Sequence, residues 1–112
     1  MVAQHKPSPR VALSRWLAQI HYNAIRNIET SFNVTRTDGS LGKGTILRGF
    51  KIADDLILTR KRTFYRLRGA TADPVSLEEV AANYNLETMR ATYRAATDVW
   101  KNEQRNLRRR QA

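Results

Sequence analysis

The chain has 112 residues, 41% of them hydrophobic, with two Trp, four Tyr and three Phe: enough for one modest core and too little for a second. Twenty Lys and Arg against ten Asp and Glu give a formal charge of +10 and a sequence pI near 10.9, a balance that favours a polyanionic partner. The absence of cysteine excludes disulfides and thiolate metal sites and fits the cytoplasm, and no apolar run reaches the length of a membrane span or of a signal-peptide core.

The positive charge is concentrated in the middle of the chain. Met1 to Phe32 holds four basic and one acidic side chains, Asn33 to Ala72 nine and three, and Asp73 to Ala112 seven and six. The stretch MVAQHKPSP has two prolines and no periodicity, and residues 1–8 read as a flexible basic arm, either a frayed terminus or a segment that brings Lys6 and Arg10 to phosphate. Ser8-Pro9 is an N-cap followed by proline at the first helical position, and it opens a predicted helix over 9–30. Leu13, Trp16, Leu17, Ile20, Ala24 and Ile28 form its apolar stripe, so Trp16 reads as a core residue and His21, with no partner in register, as a surface or rim histidine.

The period changes to two at Phe32, and a β-region is expected over 32–68. Asp38-Gly39 opens the glycine-rich loop TDGSLGKG. Its glycine spacing is wrong for a Walker loop, and its G-x-x-G lies between strands rather than between the helices a KH domain requires. A flexible turn with a solvated Lys43 and a backbone phosphate contact are the two remaining readings. Thr45 to Ile52 reads as a strand with Ile46, Phe50 and Ile52 on one face and Gly49 at a bulge, and Leu56 to Thr59 as a more fully buried strand.

Arg60 to Arg68 is the most basic stretch. If extended throughout, it places Arg60, Arg62, Phe64, Arg66 and Arg68 on one side, with guanidinium groups about 6 to 7 Å apart, close to a phosphate repeat, and Phe64 positioned to stack on a base. The competing reading is a solvated edge strand made basic against edge pairing, and a tight turn at Lys61-Arg62 would break the alternation.

Ser76 and Glu79 make an S-x-x-E capping box, Val75 and Val80 a hydrophobic staple, and Leu77, Val80, Ala81 and Tyr84 recur at helical spacing. Asn85 stands where a left-handed residue would end that helix, and apolar spacing resumes at Leu86 and Met89. Residues 76–95 thereby resemble a helix-turn-helix DNA-binding segment. Asn85 replaces the usual turn glycine, Glu87 the usual Ser/Thr cap, and Ala91 the usual β-branched anchor. The resemblance implies that Glu87, Thr88, Arg90, Thr92 and Arg94 face a major groove, with Arg90 and Arg94 as base readers.

A second pattern overlaps this one. Leu86, Met89, Tyr93, Ala96, Trp100 and Leu107 follow heptad steps interrupted at Glu103, which predicts a long last helix with an oligomer seam. Arg105, Arg108, Arg109 and Arg110 close it, suited to the helix dipole and to a phosphate backbone. Across Asp73 to Trp100 the net charge is negative, which suits the helical pair better to scaffolding than to DNA reading.

No pairing of acids, histidines or serines suggests catalysis, and nothing calls for a cofactor or metal. The expectation is one α+β domain: an N-terminal amphipathic helix, a small antiparallel sheet, and a helical pair over 76–110 with an arginine-rich end. Its expected function is non-catalytic nucleic-acid binding, DNA ahead of RNA, as a small regulator or mobile-element accessory protein, either as a homodimer or within a larger assembly. A structural subunit of a nucleoprotein particle or virion, and an antitoxin-like or inhibitor-like interaction module, are the alternatives.

Overall fold

The computed structural model describes residues 6–36 and 46–111. In chain order the elements are α1 (Pro9–Gln19), α2 (Tyr22–Ile28), β1 (Thr30–Asn33), β2 (Thr35–Arg36), β3 (Ile46–Ala53), β4 (Leu56–Leu58), β5 (Phe64–Arg68), β6 (Thr71–Val75), α3 (Leu77–Asn83) and α4 (Leu86–Gln111). The glycine-rich loop, with Lys43 and its two motif readings, lies outside the described residues.

The Ser8 hydroxyl accepts the Val11 N–H at 3.2 Å, and Pro9 takes the first helical position, as the local sequence predicts. The expected single helix over 9–30 is instead two, because Ile20 and His21 are both extended, with ψ of 124° and 149°. The reason lies in the packing. On an unbroken helix Ile25 would stand about 120° round from Leu13, off the apolar stripe. The two extended residues redirect the chain so that Ile20 and Ile25 are both buried, at 4% and 0% exposure.

Five strands, in the order β1-β3-β4-β5-β6, form an antiparallel sheet, and β2 adds to its far edge parallel to β6. Strands β1 and β2 are consecutive, parted by Val34 alone, yet they lie at opposite ends of the strand order. The segment Thr30–Arg36 therefore serves both edges and closes the sheet into a small barrel. A tight turn in which the Val34 N–H donates to the Phe32 carbonyl at 3.0 Å, and a bond from the Thr35 N–H to the Ala70 carbonyl at 2.9 Å, mark the crossing point.

Side chains alternate between two apolar layers, as the pleat requires. Leu47, Ile57, Tyr65 and Ala72, with Phe32, Val34 and Leu67, fill the barrel. Ile52, Leu56, Leu58 and Phe64 point outward beneath α1, α2, α3 and α4, where they join Leu13, Trp16, Leu17, Ile25, Val80 and Met89. Strand β4 is buried on both faces, which explains its uninterrupted Leu-Ile-Leu. Ile46 shares the outward face with Phe50 and Ile52 but lies beyond the helices and is exposed.

Gly49 is not at a bulge. The register shift falls between Lys51 and Ala53, and glycine at 49 serves close approach: a Cβ there would sit 2.4 Å from Ile57 Cγ2 and 2.9 Å from the Leu58 carbonyl oxygen.

Candidate nucleic-acid interface

The basic stretch from Arg60 to Arg68 is not a continuous strand. Thr59 to Thr63 form the β4–β5 hairpin turn, closed by Arg62 N–H to Thr59 carbonyl at 2.8 Å and Thr59 N–H to Thr63 carbonyl at 3.0 Å, with Arg62 in the left-handed region at φ 63°. The alternation expected from Arg60 onward is broken there, and the side chains are put to other uses. The Arg60 guanidinium forks onto the Glu29 carboxylate, with Nε 2.8 Å from both oxygens, donates to the Tyr22 hydroxyl at 2.9 Å and lies over the Tyr22 ring. Arg62 Nη1 reaches the Leu17 carbonyl at 3.5 Å, at the end of a helix whose last turn has no basic residue of its own. Arg66 donates to Glu79 at 2.8 Å, and Arg68 approaches Asp73 at 3.6 Å. Phe64 is 1% exposed in the outer core, so it cannot stack on a base without unfolding the sheet.

These pairs are built by the fold. Glu29 follows α2, and Glu79 lies in the first turn of α3, so two of the few acids neutralise two of the arginines expected to hold phosphate. Hydrogen bonding to Glu29 and then to Tyr22 raises the already high pKa of Arg60, and Glu79 followed by Tyr84 does the same for Arg66. Both remain cationic but are committed within the fold. A third pair, Arg10 Nε to Glu78 at 2.8 Å, ties the start of α1 to α3; the Glu78 carboxyl is lowered first by its own backbone N–H and second by Arg10.

The connection between α3 and α4 is also specific. The Ser76 hydroxyl accepts the Glu79 N–H at 3.1 Å, as expected of the capping residue, while the Glu79 carboxylate turns to Arg66. Asn85 does not end α3 in a left-handed conformation. The helix stops at Tyr84 with φ −129° and ψ 155°, and the Asn85 side-chain oxygen accepts the Thr88 N–H at 2.9 Å, capping the next helix. The break is thus two residues long, shorter than the three-to-four-residue turn usual in helix-turn-helix segments. Of the residues that the resemblance turns toward a groove, Glu87, Thr88 and Arg94 are exposed. Arg90 and Thr92 are half-buried, and Ala91, expected as the anchor, is exposed.

The apolar seam of α4 is mostly spent inside the molecule. Met89 is buried, Leu86 and Tyr93 pack on the outer core, and the Tyr93 ring meets Trp16 and Phe50 edge-on at 5.8 and 6.5 Å. Ala96 and Trp100 are half-buried, and among the seam residues only Leu107 is exposed.

The opposite character appears on the flank of the same helix. Arg90, Arg94, Lys101, Arg105 and Arg108 recur at steps of four, seven, four and three, which puts them within about 60° of one another around the axis and over about 27 Å along it. Arg94, Lys101, Arg105 and Arg108 have no ion pair among the described residues; the Arg105 guanidinium bonds to Asn102, and Arg90 has a distant partner in Glu87 at 3.9 Å. Asp98 interrupts the row. Toward its N-terminal end the row borders a cleft between α1 and α4 that is lined by Trp16, Gln19, Arg90, Arg94 and Lys101, with Arg15 beside it. Lys101 and Arg15 carry no local motif. The signal for Lys101 in the sequence is its step of seven from Arg94. Arg109 and Arg110, also exposed, extend the positive surface around the end of the helix.

Among the described residues no group of three or more His, Asp or Glu side chains is placed to hold a metal ion, and no helix is long and apolar enough to cross a membrane. Comparison with protein-family models, curated proteins and solved structures returns no match.

Proposed function

We propose that this protein binds nucleic acid without catalysing a reaction on it, DNA ahead of RNA, in the manner of a small regulator or a mobile-element accessory protein. The observation that carries the reading is the row Arg90, Arg94, Lys101, Arg105 and Arg108 on one flank of α4, ending in Arg109 and Arg110. Cations at this density, all of them exposed except Arg90, repel one another, and polyanion phosphates relieve that repulsion while releasing condensed counterions. Arg60, Arg62, Arg66 and Arg68 contribute to the long-range field but are committed to contacts within the fold. Of the three held in ion pairs, Arg60, Arg66 and Arg68, the last has the most exposed side chain and the longest contact, and it remains a secondary phosphate ligand.

The test is binding to a random-sequence duplex across a salt series. A steep negative slope of log affinity against log salt supports phosphate neutralisation, and a flat curve removes the proposal.

A second reading is favoured by the exposed Val99 and Leu107 on α4, at 56% and 48%. These are the kind of side chains a neighbouring subunit covers in a larger nucleoprotein assembly.

A further inference from the structure

We infer that the part of α4 beyond Trp100 enters the major groove of B-form DNA as one continuous helix, making duplex DNA, rather than a single strand or an RNA duplex, the ligand of this surface. The inference rests on the nucleic-acid reading above and specifies its docking element and substrate.

The first argument is geometric. From Lys101 to Gln111 every residue is exposed except Gln104, which is half-buried, so the helix leaves the body of the protein. The radius of gyration is 16.4 Å and the longest extent 59 Å, where about 13 Å is the radius of a compact domain of this length. A helix lying on a domain offers only one flank to a groove. One free on all sides can be enclosed by both walls, and a helix about 10 to 12 Å across fits a major groove about 12 Å wide.

The charges suit that enclosure. Lys101, Arg105 and Arg108 lie on one flank, Arg110 lies on nearly the opposite side, and Glu103 is the single carboxylate between residues 101 and 111. Cations thus reach toward the phosphates of both groove walls.

The same segment is poorly suited to the other nucleic-acid forms. It contains no aromatic side chain, and single-strand binding depends on aromatic platforms for the bases. The major groove of an RNA duplex is too deep and narrow for side chains to read. A helix end with no packing partner is only marginally stable by itself in water, so the groove also orders it.

The experiment uses the full chain and three probes of matched sequence: a DNA duplex of about 20 base pairs, roughly two turns of the double helix, its single strand, and the corresponding RNA duplex. The expected result is that the DNA duplex binds at least about tenfold tighter than the other two, with a gain in helical ellipticity on binding. The triple variant Lys101→Gln, Arg105→Gln, Arg108→Gln is expected to reduce the log–log salt slope on the DNA duplex by about 2.7, the value for three phosphates. Arg48→Gln with Lys51→Gln, exposed cations on β3, is expected to leave that slope unchanged. Circular dichroism and thermal melting establish that each variant folds. Equal binding to the three probes, or an unchanged slope in the triple variant, overturns the inference and leaves nucleic-acid binding standing. A wild-type protein with a flat salt response on all three probes overturns both.

Discussion

Arg66 Nη1 lies 2.8 Å from Glu79 Oε1, and that contact joins strand β5 to the first turn of α3. A residue expected to meet phosphate is therefore part of the seam between sheet and helices. Replacing Arg66 by Met is expected to lower the thermal midpoint while leaving DNA affinity unchanged within twofold. The same change at Arg60 is expected to cost more stability, because its partner Glu29 is 8% exposed at the side chain whereas Glu79 is 41% exposed. A carboxylate left alone loses more where less water can replace its partner. Paired thermal melts and binding isotherms of the two variants check both statements.

Gly49 lies against the side chain of Ile57 on the neighbouring strand β4, with room for a hydrogen and no more. Gly49→Ala is expected to destabilise the fold by about 1 to 3 kcal/mol, because the nearest atoms include the backbone of β4 and cannot all swing aside. Urea unfolding with an unchanged m-value measures it.

Arg62 adopts a backbone conformation that favours glycine. Arg62→Gly and Arg62→Ala both remove the contact with the Leu17 carbonyl, so their difference isolates the backbone. The glycine variant is expected to be the more stable by roughly 1 kcal/mol. Equal stability of the two would mean that the turn relaxes to another conformation.

Burial raises the phenol pKa of both Tyr84 and Tyr93 above the ordinary value. The folded chain therefore keeps these protons at a pH where the unfolded chain releases them. This contribution is complete below the ordinary phenol pKa of about 10 and is lost as pH rises above it. Stability measured in urea is expected to fall as pH rises above about 10. In Tyr93→Phe the fall is expected to be shallower, with tyrosinate absorbance tracking the change.

A chain ending at Trp100 is expected to unfold within about 0.5 kcal/mol of the full chain, since the residues removed are nearly all exposed. The same truncation is expected to abolish salt-dependent DNA binding. A large loss of stability would show that the end of α4 packs on the body.

What the sequence disclosed was local. Ser8 with Pro9 and Ser76 identify two helix starts through neighbours three residues away, and the apolar Leu56-Ile57-Leu58 reads directly as a doubly covered strand. The α+β class and the long last helix follow from the same short-range periods. What it concealed depends on distant partners. The turn at Ile20-His21 has no glycine or proline to announce it and exists because Ile25 must reach the core. The fates of Arg60 and Arg66 are decided by Glu29 and Glu79, residues 31 and 13 positions away. The α4 flank was only half visible: its arginines stand out by type, while Lys101 joins them only when the whole helix is wound at its true pitch.

The crossing at Val34 also imposes an order in time. Thr35 and Arg36 pair with Thr71 and Ala72, so a strand made early in synthesis waits for one made late. The hairpins between them are complete in themselves and form while that wait continues. Closure of the barrel is thus expected to be the late step in its assembly, with α3 and α4, which follow β6 in the chain, settling onto a sheet whose ends have just met.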